Sequence, residues 1–363
     1  MDNNLIDKKQ LREIINDMED QIQLFEKFPL GGRAIGESWY QKIVLIREKL
    51  KDLKNLSKFR YNNLAVVDEP AEAGRAYKLL SHITFLLKYT VMGKSLEDRY
   101  ALIKKYDLKK LLVENPVGDI GAPVCYKKNN LQFTNGWVRH IYLFSLLNRS
   151  LGTFIENEIK VIMEIGSNYG ALTSIIKNNY PKTSIVLIDL PEQLAVAQYY
   201  LRLKYPKATF VKYKDLKLCE KINRDLISNY DFLLVPNFMF EKLEENSVDL
   251  ITNVASLNEM TREWVDYYVN SRVFCTTKYI YLVNRIIKEQ NIGTKISILD
   301  MHLEQYDCIH FDVCPYWEWL YKKKLIFKIF PKIEKTTHPP FYEFIGKKPI
   351  NKKYLGSLSL HTN

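Results

Sequence analysis

The stretch Val161-Ile-Met-Glu-Ile-Gly-Ser-Asn-Tyr-Gly170 constrains the fold more than any other part of this 363-residue chain. An apolar run breaks at Gly166, turns through Gly170, enters a helical pattern and returns as a second apolar run, Ser184-Ile-Val-Leu-Ile-Asp-Leu190. Strand, glycine turn, helix and strand make one βαβ unit. Such a unit belongs to a parallel sheet whose turns line a ligand crevice at the carboxyl ends of the strands.

The turn reads Glu164-x-Gly166-x-Asn168-x-Gly170 rather than G-x-G-x-x-G. A dinucleotide turn needs its glycines so that the backbone and the helix N-terminus can approach a pyrophosphate. Here Asn168 takes a glycine position, and Glu164 puts negative charge beside the turn, which suits a cationic ligand. Asp189 ends the second strand, where carboxylates of α/β sheets usually face the ligand crevice. Asp189 and Glu192 also have capping-box spacing, with Pro191 at an early helical position; the two roles are compatible.

From Val161 onward strands and helices alternate, which predicts a parallel sheet covered on both faces. Further strands are expected at Phe232–Asn237, Val248–Val254 and Tyr279–Arg285, and a helix at Glu192–Tyr205. Leu325–Phe330 and Phe341–Gly346 are separated by too few residues for a crossover helix, so they are expected to form a terminal antiparallel hairpin. The fold class is therefore α/β: five parallel strands plus that hairpin, behind an N-terminal helical domain. The front piece, residues 1–152, reads as mainly helical, with amphipathic runs at Trp39–Leu50 and Tyr77–Leu87, a turn-rich Asn115–Val124 and a helix around Trp137–Asn148. Residues 153–350 form the sheet domain and 351–363 a polar tail.

Composition bounds the rest. A hydrophobic content of 47% fills ordinary cores over two domains. Met1–Lys9 lacks the apolar core of a signal peptide and no run reaches membrane-spanning length, so a cytoplasmic location is expected. Five scattered cysteines without C-x-x-C spacing signal neither a disulfide framework nor a zinc site. The net charge of +11 attracts nucleic acid, phosphorylated metabolites or anionic glycans, and does not choose among them.

The acid-first glycine turn with Asp189 resembles the E/D-x-G-x-G-x-G motif of class I S-adenosylmethionine (AdoMet) methyltransferases, whose cofactor carries an ammonium, a sulfonium and a ribose but no phosphate. Asp189-Leu-Pro-Glu-Gln-Leu-Ala-Val-Ala-Gln198, Leu234-Val-Pro-Asn237 and Val248-Asp-Leu-Ile-Thr-Asn-Val-Ala-Ser-Leu-Asn-Glu-Met260 look like the sugar O-methyltransferases of bacterial polysaccharide gene clusters. That resemblance covers about residues 115–350 and departs from the general motif at Asn168. It implies AdoMet as methyl donor, S-adenosylhomocysteine as product, and a cofactor site built from Glu164, Gly166, Ser167, Asn168, Gly170, Asp189, Leu190, Asn237, Asn253 and Ala255. It also implies a sugar or nucleotide-linked, phosphorylated glycan precursor of a surface polysaccharide or capsule as acceptor. A homodimer through the helical domain fits the same picture, whereas nucleic acid is not the expected partner.

Methyl transfer to a hydroxyl requires in-line alignment and one base. Glu259 is the first candidate for that base, beside Asn258 as an acceptor anchor; Ser256-x-x-Glu259 equally has capping-box spacing at the head of a helix containing Trp264. His338, in the loop before Phe341, and His140 are further candidates for the base. Arg285 could clamp a phosphate of the acceptor or pair with a surface carboxylate. His82 falls on an apolar helical face and reads as core. His302 and His310, although near Asp300, Glu304, Asp307 and Asp312, fit no metal-ligand spacing, so no metal is expected. Trp317, Leu320 and Tyr321 would share a helical face and pack on the sheet. Two rivals remain: an RNA or other small-molecule methyltransferase, suggested by the charge, and a non-catalytic partner subunit of the same fold, suggested by Asn168.

Overall fold

The structure, a computed structural model, describes residues 6, 8–31, 37–62, 64, 91–287, 296–317, 319–326, 330–337 and 340–349. Strands β1 (Tyr126–Lys128) and β2 (Leu131–Phe133) make a small antiparallel ribbon. The main sheet is built from β3 (Val161–Ile165), β4 (Ser184–Asp189), β5 (Phe232–Pro236), β6 (Leu250–Val254), β7 (Tyr279–Arg285), β8 (Asp307–Val313) and β11 (Phe341–Lys347). Between the last two lie β9 (Trp319–Ile326) and β10 (Phe330–Thr337), a separate antiparallel pair. Strand order in the main sheet is β5-β4-β3-β6-β7-β11-β8. The first five are parallel, and β11 runs antiparallel between β7 and β8.

The five parallel strands are buried almost throughout, as a sheet covered on both faces demands. On one side the Asn135–Asn157 helix lies beside the Ala171–Asn179 helix; it starts on a Thr134 cap whose hydroxyl accepts from the Trp137 amide at 3.1 Å. This single helix crosses residue 152, carrying the chain from the front region directly to β3. The Lys8–Lys27 helix packs along the Pro191–Lys204 helix with its Ile14, Ile15, Met18, Ile22 and Phe25 face buried. Phe25 continues into an aromatic group with Phe238 and Trp264, both at 6.2 Å between ring centroids.

The closing strands differ from the expectation. The partner of β11 is β8, which its exposed, charged residues concealed, whereas Leu325 and Ile326 end β9 and Phe330 begins β10. The segment containing Trp319, Leu320 and Tyr321 is a strand, not a helix, so the helical-face reading fails: helical and strand spacing are hard to separate in so short an aromatic run. The expected Tyr77–Leu87 helix and the 351–363 tail lie outside the described residues.

Asp249 fixes where the central strands begin. Its buried carboxylate accepts from the amides of Lys160 and Val161 at 2.9 and 3.0 Å and pairs with Arg224 at 2.7 Å, joining the starts of β3 and β6. Asp249→Ala should lower the unfolding free energy by about 2–4 kcal/mol, because two strand amides and Arg224 lose a charged acceptor together. Urea denaturation checks this; an unchanged midpoint would refute it.

Candidate active site

The glycine turn closes β3 onto β4. The amides of Gly166 and Ser167 donate to the Ile188 carbonyl at 2.8 and 3.3 Å. Gly166 has φ +72°, and a Cβ there would lie 2.0 Å from the Ser256 hydroxyl oxygen, so backbone conformation and close packing both require glycine. Asn168 takes the left-handed conformation, φ +52°, that a middle glycine would otherwise supply. Its side chain makes this tolerable: Oδ1 accepts from the Tyr169 amide at 2.7 Å. The departure from the glycine motif therefore preserves the shape of the turn. Gly170 then caps the Ala171–Asn179 helix at φ +79°, against Leu187 and Leu201.

Two buried carboxylates flank this turn. Asp189 accepts from the Asn168 amide at 2.6 Å and the Leu190 amide at 2.7 Å. The Pro191–Lys204 helix has Leu190 as its N-cap with no side-chain cap, so Asp189 and Glu192 do not form a capping box. Burial raises the Asp189 pKa to about 7, opposed by those two amides. Glu164 is pushed up to about 8, by burial first and by Asp189 second, with Thr173 and Arg139 opposing. Glu164 Oε2, Ser167 Oγ and Asn237 Oδ1 are buried without a hydrogen-bond partner among the described residues. They sit at the carboxyl ends of β3 and β5, where carboxylate and amide oxygens can receive an ammonium and hydroxyls.

Asn253 ties three strand ends together. Its Nδ2 donates to the Ile165 carbonyl at 2.7 Å and bonds the Ser256 hydroxyl, while its Oδ1 accepts from Asn284 Nδ2 at 2.9 Å. Ala255 follows at φ +58°, a conformation that L side chains rarely adopt. The Asn258 amide N–H reaches Asn284 Oδ1 at 3.4 Å, yet both polar side-chain atoms of Asn258 are buried and unpartnered among the described residues. Glu259 is half-buried at the end of a short 3-10 turn. Its expected capping box is absent, because Ser256 makes no side-chain cap and the Trp264 helix begins at Arg262 behind Thr261. Arg285, at the end of β7, is buried with its guanidinium 5.0 Å from the Phe341 ring centroid.

His140 is buried, with Nδ1 unpartnered among the described residues; burial, Arg139 and Arg60 hold its pKa well below the usual range, so it is neutral. His338 and His82 lie outside the described residues. His302 bonds Glu304 and Asn270, and His310 faces Glu343 at 3.9 Å. Among the described residues no three His, Cys, Asp or Glu side chains gather as metal ligands, and no helix is long and apolar enough to cross a membrane.

Sequence reasoning passed over three buried contacts. Phe59 lies against Tyr169 at 5.2 Å, and the next two amides, of Arg60 and Tyr61, donate to the Gly121 carbonyl, drawing a front segment and the turn-rich stretch onto the glycine turn. Arg99 stacks on Tyr316, 3.5 Å from its ring centroid, and donates to its carbonyl at 2.7 Å. Glu343, buried at the middle of β11, accepts from Tyr142 at 2.8 Å and Tyr281 at 3.5 Å. Only Glu343 left a signal, as a lone charge in an apolar strand.

The carboxyl edge of this sheet thus combines strand order, a left-handed turn and unpartnered acceptors. Residues 133–284 match a family described as lysine methyltransferase. The strand order, with antiparallel β11 between β7 and β8, is that of the class I methyltransferase fold. The acid-first turn with its unpartnered oxygens fits S-adenosylmethionine, a cofactor bearing an ammonium and a ribose. A ribosomal RNA small subunit methyltransferase A of Chlorobium phaeobacteroides is 24% identical over 159 residues, 40% of this chain and 57% of that protein, so the chain spans little more than half of that relative. Among solved structures, a precorrin-6y C5,15-methyltransferase of Geobacter metallireducens is 15% identical over 55% of this chain and 86% of that one, with a TM-score of 0.30. An RNA methyltransferase of Pyrococcus horikoshii, so described in provisional terms, is 13% identical over 58% and 85%, with a TM-score of 0.34.

Two outcomes follow for this turn. Gly166→Ala should destabilise it by about 2 kcal/mol or more, whereas Asn168→Gly should change stability by less than about 1 kcal/mol, as thermal or urea melts would show. The raised pKa of Glu164 favours the protonated folded state. That contribution is complete below 4.5 and lost as the pH rises through about 8. Compared with Glu164→Gln, the wild type should lose stability across that window; parallel pH profiles would refute it.

Proposed function

We propose that the protein is an O-methyltransferase acting on a sugar hydroxyl, or on a phosphorylated substituent, of a surface-polysaccharide precursor. The observation that carries this reading is Asn258: a buried amide with donor and acceptor both open, directly beyond β6 and next to Glu259. An amide of this kind can give and take a hydrogen bond with a hydroxyl of the acceptor. Support also comes from the resemblance of Asp189–Gln198 and Val248–Met260 to sugar O-methyltransferases, and from Arg285 at the neighbouring strand end, which suits a phosphate. A cytoplasmic location and a homodimer through the helical front go with this reading.

AdoMet supplies an already activated methyl, so the protein has to orient, desolvate and remove one proton. In the proposed arrangement Glu164, Ser167, Asn168 and Asp189 bind the amino acid and ribose parts, with Gly166, Gly170, Leu190, Asn237, Asn253 and Ala255 shaping the pocket. Asn258 holds the acceptor hydroxyl, and Glu259 takes its proton. Neutral His140 is the alternative base. His338 is a third candidate for the base.

A second reading, methylation of RNA, is favoured by the net charge of +11 and by what the ribosomal RNA relative is named for. Labelled AdoMet supplied with sugar nucleotides, phosphorylated glycans, RNA or protein lysines separates these acceptors. Label on the sugar pool supports the proposal; label on RNA, with steeply salt-dependent binding, replaces it. Calorimetric binding of S-adenosylhomocysteine with no acceptor labelled would make the domain a non-catalytic partner. Glu259→Gln should lower turnover by about 10²–10⁴-fold while leaving the S-adenosylhomocysteine dissociation constant unchanged; unchanged turnover removes Glu259 as the base.

A further inference from the structure

An ion pair outside the glycine motif joins the N-terminal helices to the cofactor corner. Arg47, on the Glu37–Leu50 helix, donates Nε to Glu192 Oε1 at 2.9 Å and Nη1 to Glu26 Oε1 at 2.8 Å. The side chain of Glu192 is fully buried, whereas that of Glu26 is 54% exposed. Glu192 stands three residues after Asp189, in the first turn of the Pro191–Lys204 helix. Its Oε2 is buried with no hydrogen-bond partner among the described residues, and so is Oε1 of the next residue, Gln193. Gln193 is itself held from the front region, donating Nε2 to the Leu64 carbonyl at 3.2 Å. Two buried acceptors without donors among the described residues therefore stand three and four residues after Asp189, and residues of the N-terminal segment hold both side chains.

AdoMet presents donors at this end: the ribose hydroxyls and the adenine amine. We propose that Arg47 is a positioning residue for the cofactor, holding the Glu192 carboxyl oriented beside Asp189 so that the N-terminal helices complete the nucleoside end of the site. The inference rests on the AdoMet reading of the pocket. A buried carboxylate deprived of its cation is strongly disfavoured, so without Arg47 Glu192 must take up a proton or turn away. Asp189 feels the same change, because the charge of Glu192 is one of the influences on its protonation.

The test is calorimetric binding of S-adenosylhomocysteine to the full chain, paired with thermal melts. Arg47→Ala should raise the dissociation constant about tenfold. Adding Glu192→Gln to it should restore binding to within about threefold, since a neutral amide needs no cation and still offers an acceptor. Arg47→Gln, closer in shape, serves if the alanine variant fails to fold. A lowered melting temperature with unchanged affinity would reduce Arg47 to a structural strut and overturn the proposal, as would additive losses in the double variant. Wild-type protein that does not bind S-adenosylhomocysteine would sink the AdoMet reading itself, and this inference with it.

Discussion

The geometry of the site depends on one side chain, Asn253. Its amide nitrogen holds the end of β3 through the Ile165 carbonyl, and its oxygen holds the end of β7 through Asn284. An amide can do this because it donates and accepts in one plane; a carboxylate or hydroxyl could satisfy only part of the set. With three strand ends at one level, Ser256 comes so close to Gly166 that no side chain fits between them. The left-handed Ala255 is tolerated on the same account, since the surrounding bonds over-determine its backbone.

Around that tie the chain places negative charge where water is scarce. Glu164 and Asp189 both resist ionisation for want of solvent, and they raise each other's energy as they lose protons. A site of this kind is poorly satisfied when it stands alone and well satisfied by a cation with hydroxyls attached. Stability of the bare protein and affinity for such a ligand therefore oppose one another at these two residues.

Much of this was legible in the sequence because the signals were local. The Val161–Gly170 turn, the Asp189 strand end and the five parallel strands follow from apolar runs broken by glycine, which only a βαβ repeat explains. Asn168 read as a defect in the motif and proved a substitute for glycine, since its side chain bonds the next amide. What escaped was non-local. β8 is an edge strand with an exposed, polar pattern, so it carries little apolar periodicity to detect. The capping boxes at Asp189 and Ser256 matched in spacing and failed in space, because each first residue was already bonded to a strand end or loop far away in the chain. Arg47 meets Glu192 across 145 residues, a separation at which spacing carries no information.

Among the described residues β11 is the last strand of the sheet in sequence and yet not its edge. It enters between β7 and β8, which meet only through it, and Glu343 at its middle is bonded to Tyr142 and Tyr281 in the interior. A slip of one residue would carry that carboxylate to the opposite face and strand two phenols. The order of assembly is thereby set: among the described residues β8 has no neighbour in the main sheet until the chain has been made through Lys347, so the sheet that bears the glycine turn can begin to form on an emerging chain but cannot close until β11 has arrived.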